Sequence, residues 1–461
     1  MTAISQWLNK ISYSYTPIHA LVSFRILFGL TMFFSTLRFI LNGWIYDLYI
    51  APKYYFTYFG FDWVHPLSPS GMYLLFGLLI ILSLFITAGL FYRLSTISFF
   101  CIFTYIELID KTNYLNHYYF ISLVSFLLIF VPANRYFSVD TYIGITKRTQ
   151  KVEAWTINLL KFQLAVVYVF AGISKLNYHW LIEAQPLSNW LKHQVDLPFI
   201  GGLMKYEMTA YVFSWGGALF DLCIPFILLN RNIRIYGYLF VVVFHLLTWL
   251  MFPIGVFPFV MIVSTLIFFS DRFHQTLIAL FQKIIPFRSE MRNPKLIVQT
   301  SKTYRVLLTT AISIYIGIQL IVPMRYLFYD GKLFWHEQGY RFSWRVMLIE
   351  KAGYAQFYIH DNQDRKKLID NSTYLTKQQE KMMATQPDMI LQYAHHLRDI
   401  YSDTLIIEGA EKIELKTPKV TADIRVNLFN SGSRPFIDPN VNLSDIKRGL
   451  HQKNWVLDYE E

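Results

Sequence analysis

The chain has 461 residues, 54% of them hydrophobic, 18% aromatic and only 16% charged, with a mean hydropathy of +0.32. Soluble domains carry about a quarter charged residues, so this balance excludes an ordinary soluble protein and indicates a membrane protein. The formal net charge of +11 does not indicate nucleic acid, because residues 1–326 hold 24 Lys and Arg against 12 Asp and Glu whereas residues 327–461 hold 18 against 19.

Met1 to Thr16 is polar and shows no cleavable signal pattern, so the first span is expected to direct insertion itself. Crossing ~30 Å of hydrocarbon takes about 20 apolar residues. Runs near 18–37, 71–91, 94–109, 117–132, 155–176, 209–229, 235–251, 255–270 and 304–323 are the predicted spans, nine in number. Two pairs read as hairpins, one closed by Tyr92 and Arg93, the other by Phe252, Pro253 and Ile254. Cys101 and Cys223 fall inside apolar runs, which predicts packing residues and no disulfide framework.

Cytoplasmic loops retain Lys and Arg. With the N-terminus inside, the inner segments hold fourteen of them (Lys10, Arg93, Arg135, Lys147, Arg148, Lys151, Arg231, Arg234, Arg272, Lys283, Arg288, Arg292, Lys295, Lys302) and the outer ones six (Arg38, Lys53, Lys111, Lys192, Lys205, Arg325). An odd number of spans then places the tail outside. In that tail RFSWRVMLIE at 341–350, GYAQFYIHD at 353–361 and KVTADIRVNLF at 419–429 read as strands. QPDMILQYAHHLRDIY at 386–401 reads as an amphipathic helix. The predicted architecture is a polytopic α-helical membrane domain over 1–326 followed by an extracytoplasmic, β-rich α+β domain over 327–461.

Ionisable groups inside spans are costly and mark functional candidates. Arg25, Glu107, Lys161, Lys175, Asp221 and His245 are such groups, with Asp110, Lys111, Asn116 and His117 at span edges. In the derived orientation Lys175, His245 and the 110–117 segment reach the outer face, beneath the tail. Each also has a plainer reading: Lys175 as a snorkelling lysine, His245 as a hydrogen-bonded packing residue, Arg25 and Asp221 as a structural charge pair or network. Lys161 reads as snorkelling inward. Aromatic residues such as Tyr118, Tyr119, Tyr168 and Trp180 suit an interfacial belt and equally a flat quinone ring. No phosphate loop, zinc-ligand spacing or nucleophile elbow stands out in the tail.

FAGISKLNYHWL at 170–181 resembles the catalytic-lysine segment of the vitamin K-dependent gamma-glutamyl carboxylase family, and DKTNYLNHYY at 110–119 resembles that family's DKTxxxNHxY stretch. SFRILFG at 23–29, GLFYRLS at 89–95, NRYFSVD at 134–140, GGALFD at 216–221 and FHLLTWLMFPIGVFPFVM at 244–261 extend the resemblance along the membrane half, which is of the HTTM type. GYRFSW at 339–344, DMILQYA at 388–394 and RPFIDPNV at 434–441 extend it into the tail. The resemblance implies an integral membrane enzyme, a carbon–carbon lyase with epoxidase chemistry. Such an enzyme couples oxidation of vitamin K hydroquinone by O2 to addition of CO2 at the γ-carbon of a protein glutamate, with no metal expected.

Carried over by position, Lys175 would be the catalytic base, acting as a neutral amine, with His117 beside it. Asn116, His117 and His245 would bind the quinone, and Ser343, Trp344 and Arg434 the substrate glutamate. Animal members have a lysine pair where this chain has Ser174 and Lys175, and they extend well past the RPFIDPNV run. Without the animal disulfide, a bacterial inner membrane is the expected location, with a cytoplasmic N-terminus and a periplasmic tail. Menaquinol could then replace vitamin K, since both are naphthoquinols. The expected partners are the lipid bilayer, a naphthoquinol and a glutamate-containing protein or peptide, with no nucleic acid. Two other readings stand beside the carboxylase: a quinol epoxidase without peptide carboxylation, and a non-catalytic binding protein on the same scaffold.

Overall fold

Helices dominate the first two thirds of the chain because its apolar runs are long enough to satisfy every backbone polar group internally, as the hydrocarbon phase requires. The computed structural model describes residues 13–284, 301–361, 363–408, 411–415 and 417–459. Lys10, Arg288, Arg292 and Lys295, counted above, lie outside these residues.

Among the described residues seven helices are long and apolar enough to span a membrane. They include α1 (His19–Leu41), α2 (Pro69–Ala88) and α3 (Tyr92–Ile109). Past the shorter α4 (Asn116–Phe130) come α5 (Trp155–Lys175), α6 (Glu207–Leu229) and α7 (Arg234–Met251). The shorter α8 (Phe257–Thr265), the amphipathic α9 (Asp271–Ile284) and the last long helix α10 (Lys302–Met324) complete this half. At 1.5 Å per residue α4 and α8 rise only about 22 and 13 Å, so neither alone crosses the ~30 Å that a full span covers. Cys101 and Cys223, expected as packing residues, instead lie exposed on the outside of the bundle.

At the end of the bundle away from the tail, three of the quoted runs form one knot. Arg25 donates from Nη1 to the Ala133 carbonyl at 2.9 Å and from Nη2 to the Phe137 carbonyl at 2.6 Å. Asp140 accepts from the Phe91 and Tyr92 amides at 2.7 and 3.0 Å and from Asn134 Nδ2 at 2.7 Å. The hairpin turn therefore sits at 89–91, one residue before the expected Tyr92 and Arg93. Gly89 takes φ +65°, and a Cβ there would come within 2.5 Å of Arg25 Nη1, so only glycine fits. These contacts also correct the expected pairing of Arg25 with Asp221: Arg25 is held at this end by two backbone carbonyls, and Asp221 has another partner.

A short ribbon pairs β1 (Tyr15–Pro17) with β2 (Lys151–Glu153). In the tail β3 (Lys351–His360), β4 (Lys366–Ile369), β7 (Lys419–Leu428) and β8 (Ser433–Pro435) form an antiparallel sheet in the order β4-β3-β7-β8, and β5 (Thr404–Glu408) pairs with β6 (Glu411–Leu415) separately. The β3–β7 register runs from Lys351 opposite Leu428 to His360 opposite Lys419. Over it lie α11 (Lys377–Met383), opened by a capping box from Thr376 and Gln379, and α12 (Pro387–Tyr401), which buries Met389, Ile390, Tyr393, Ala394 and Leu397. Their core is continuous with Phe56, Trp180, Leu187 and Met251 of the membrane half, so the tail is packed onto the helices.

The 341–350 segment is not a strand. Phe342, Trp344 and Met347 have φ of +61°, +60° and +56°, a left-handed region that strands exclude. The cause is tertiary: the Phe342 amide donates to Tyr114 OH at 2.8 Å, and the Trp344 ring stacks on Tyr119 at 4.9 Å. The segment is held by the helical domain rather than by a neighbouring strand.

Candidate functional site

Lys175 is the last residue of α5, and its side chain is buried against α6. The helices approach closely at Gly172, where a Cβ would lie 2.7 Å from Leu222 Cγ. Lys175 Nζ consequently donates to Asp221 Oδ2 at 2.7 Å, with both side chains 7% exposed. The amine also stands 5.4 Å from the centre of the Trp180 ring.

The pair lines a cavity of about 760 Å³, open mouth included. Trp180, Phe213, Phe244, Phe252 and Phe257 furnish aromatic walls, and Val346 and Met347 of the tail close one side. His245 also lines it, with Nε2 3.0 Å from Tyr168 OH, while its buried Nδ1 has no hydrogen-bond partner among the described residues. One apolar, flat-walled chamber thus holds an amine, a carboxylate, an imidazole and a phenol. Such a lining suits an aromatic ring bearing two hydroxyls: the walls take the faces, and the amine, carboxylate and phenol supply the polar groups.

The other site candidates lie elsewhere. His117 is separated from His245 by Phe257, whose ring stands 5.8 Å from one imidazole and 5.7 Å from the other. Asn116 donates to the Arg345 carbonyl at 3.0 Å and accepts from Tyr114 OH. The 110–119 run is in fact a clasp for the tail: Asp110 accepts from Gln379 Nε2 at 2.9 Å, Lys111 pairs with Asp388 at 2.7 Å, and Tyr114 and Asn116 hold the 342–345 segment. Ser343 Oγ donates to the Tyr340 carbonyl, and Trp344 is buried against Tyr119. Arg434, on β8, donates to Tyr459 OH at 2.7 Å and Ser431 Oγ at 3.0 Å and lines neither the chamber nor the clasp.

Asp221 is the functional candidate that position alone misassigned. Its signal was present, since Gly217 and Asp221 are one turn apart in GGALFD and so share a helix face, but nothing local names Lys175 as its partner.

At the clasp, burial lowers the Lys111 amine to about 8, with Asp388 pulling it back up and Arg341 pushing it further down. Burial would raise Asp388, but Arg341 at 2.8 Å and Lys111 outweigh it and hold the carboxyl well below its usual range, with Lys453 adding in the same direction. The stability Asp388 contributes is therefore present above its unfolded value near ~3.9 and is lost as pH falls below that. The melting temperature of the purified chain should drop as pH falls below about 4, and Asp388→Asn should flatten that acid limb. An unchanged limb in the variant would assign acid sensitivity to other carboxylates.

A bundle of apolar helices with a buried lysine–carboxylate chamber, capped by an α+β domain, defines a multi-pass membrane protein of two units. The HTTM domain family matches residues 13–273, and the family described as vitamin K-dependent gamma-carboxylase, lumenal domain, matches residues 304–461. The chain belongs to the vitamin K-dependent gamma-carboxylase family, and its function is gamma-carboxylase-like. The second match begins inside α10. No solved structure matches the chain.

Proposed function

We propose that the chain couples oxidation of a naphthoquinol, vitamin K hydroquinone or menaquinol, to γ-carboxylation of glutamate in a protein or peptide, with Lys175 as the base and Asp221 as its proton partner. The observation that carries this is the Lys175–Asp221 pair inside an aromatic chamber closed by the tail. When bound with O2, the quinol supplies a base strong enough to remove a glutamate γ-hydrogen, which no side chain is, and CO2 then adds at that carbon. The residues have smaller tasks. Lys175 must take a proton from a ring hydroxyl, so it must first be free of its own; across 2.7 Å Asp221 can accept that proton and return the amine to its neutral form. Tyr168 and His245 are hydrogen-bonded to one another and would position the ring. His117, behind Phe257, would act on the chamber through that ring, and Asn116 through the tail segment it holds.

Purified chain incubated with a glutamate-containing peptide, reduced vitamin K, labelled bicarbonate and O2 should yield labelled γ-carboxyglutamate and quinone epoxide, read by mass spectrometry. Epoxide without label would select the quinol epoxidase, and neither product the binding protein.

The same reading places the tail outside a bacterial inner membrane. The ends of α3, α5 and α7 that meet the tail are the ends the Lys/Arg distribution assigns to the outer face. Protease added to right-side-out vesicles should therefore shave the 327–461 region and spare the loop after α9. A protected tail would refute this orientation.

A further inference from the structure

Of the ionisable groups that stand in spans, Lys161 has no part in the chamber, the knot or the clasp. It projects from α5 about 9 Å along the helix from Trp155, in the half of the bundle away from the tail. Among the described residues its half-buried amine makes no hydrogen bond or ion pair, and it stands 5.8 Å from the centre of the Phe268 ring. Its charged neighbours are cations: Arg231 and Arg234, at the turn joining α6 to α7, lie within electrostatic reach of it, and no described carboxylate does. Arg234 is tied to the Leu228 and Leu229 carbonyls at 2.6 and 3.2 Å, and Arg231 is exposed. His274 of α9 also acts on Lys161. It is 1% exposed, yet neither ring nitrogen makes a hydrogen bond of ordinary geometry among the described residues, the Leu266 carbonyl lying only loosely against it. Asp271, beside His274, is taken up by His19 Nδ1 and Gln275 Nε2, each at 2.7 Å.

Three cations and an unpartnered imidazole gathered at the edge of the hydrocarbon are costly unless an anion joins them. Snorkelling accounts for one lysine reaching the boundary, but not for its convergence on two arginines of like charge. Ile235 and Leu239, one turn apart on α7 directly after Arg234, are 59% and 60% exposed. They form an apolar strip that runs from the cations into the hydrocarbon. An anion that also brings acyl chains for such a strip is a phospholipid.

We propose that Lys161, Arg231 and Arg234 bind the headgroup phosphate of an anionic phospholipid whose chains lie along Ile235 and Leu239. The site goes beyond the carboxylase reading and depends neither on it nor on which membrane face is inner. Asp221 stands on α6 and His245 on α7. A lipid held at the common turn of these helices therefore braces two walls of the chamber from the opposite end.

The test is binding of phosphatidylglycerol, fluorescently labelled on an acyl chain, to the delipidated full chain in neutral detergent without quinol, against phosphatidylcholine carrying the same label. Wild type should bind the anionic lipid at least tenfold more tightly, and the difference should shrink with salt. Lys161→Gln should weaken phosphatidylglycerol at least tenfold and leave phosphatidylcholine unchanged, while Lys161→Arg should retain the preference. Arg231→Gln, at an exposed turn position, should weaken phosphatidylglycerol in the same direction. Because Lys161 stands among like charges, the lipid-free melting temperature of Lys161→Gln should not fall; a fall would mark a structural role and count against the site. Equal binding of the two lipids, or of phosphatidylglycerol by wild type and Lys161→Gln, would overturn the proposal. Displacement of the labelled lipid by inorganic phosphate as readily as by unlabelled phosphatidylglycerol would assign the cations to a free anion and overturn it as well.

Discussion

Lys175→Ala should lower epoxide formation by about 10²–10⁴-fold in the folded fraction, the usual cost of losing a positioned proton-transfer group, and should also lower the melting temperature because it strands the buried Asp221 carboxylate. Among the described residues that line the chamber there is no second amine, and its imidazole is already hydrogen-bonded to Tyr168. Truncation leaves a space against Trp180 with Asp221 still in place, so a small exogenous amine should recover part of the rate. Lys175→Arg should not recover it, because a guanidinium stays protonated at working pH. Wild-type epoxide formation by the Ala variant without added amine would reduce Lys175 to a structural partner of Asp221.

Asp221→Ala should produce the largest loss of stability. Removing one member of a buried ion pair strands the other charge, at a cost of about 3–5 kcal/mol, whereas replacing both by apolar groups is often neutral. The double variant Lys175→Met with Asp221→Leu should therefore melt close to wild type and form no epoxide. Asp221→Asn keeps the shape but cannot accept the proton of Lys175, so it should fold better than Asp221→Ala and still lose at least tenfold in rate. These outcomes separate a structural pair from a chemical one. If the double variant retained activity, neither residue would carry the first proton transfer; if Asp221→Asn matched wild type, Asp221 would have no part in it.

Hydropathy marked the seven long helices to within a few residues, because each crosses an apolar phase that selects composition directly. It also marked α4 and α8, whose shortness it did not foresee, since that depends on where each helix begins, α4 at the clasp and α8 at the chamber. The strands β3 and β7 and the helix α12 were legible from alternation and helical spacing, while β4 and β8 are too short to carry a pattern. Thr376 and Gln379 carry a capping signal for α11 that is readable in the sequence. The 341–350 run shows the limit of local reading: its β-branched and aromatic residues favour a strand, yet Tyr114 and Tyr119, more than two hundred positions away, impose left-handed turns.

What the sequence by itself determined is a helical membrane part followed by a β-rich part, and which ionisable residues stand in apolar runs, Lys175 and His245 among them, because hydropathy and the expense of charge in hydrocarbon are properties of local stretches. Only the tertiary structure decided which charges meet. Arg25 turns to backbone carbonyls of a distant loop, Asn116 to the tail, and Asp221 to Lys175, 46 positions away. A charge in a span must find a partner, but its choice is made by helix packing, here by the close approach at Gly172, which no local pattern encodes.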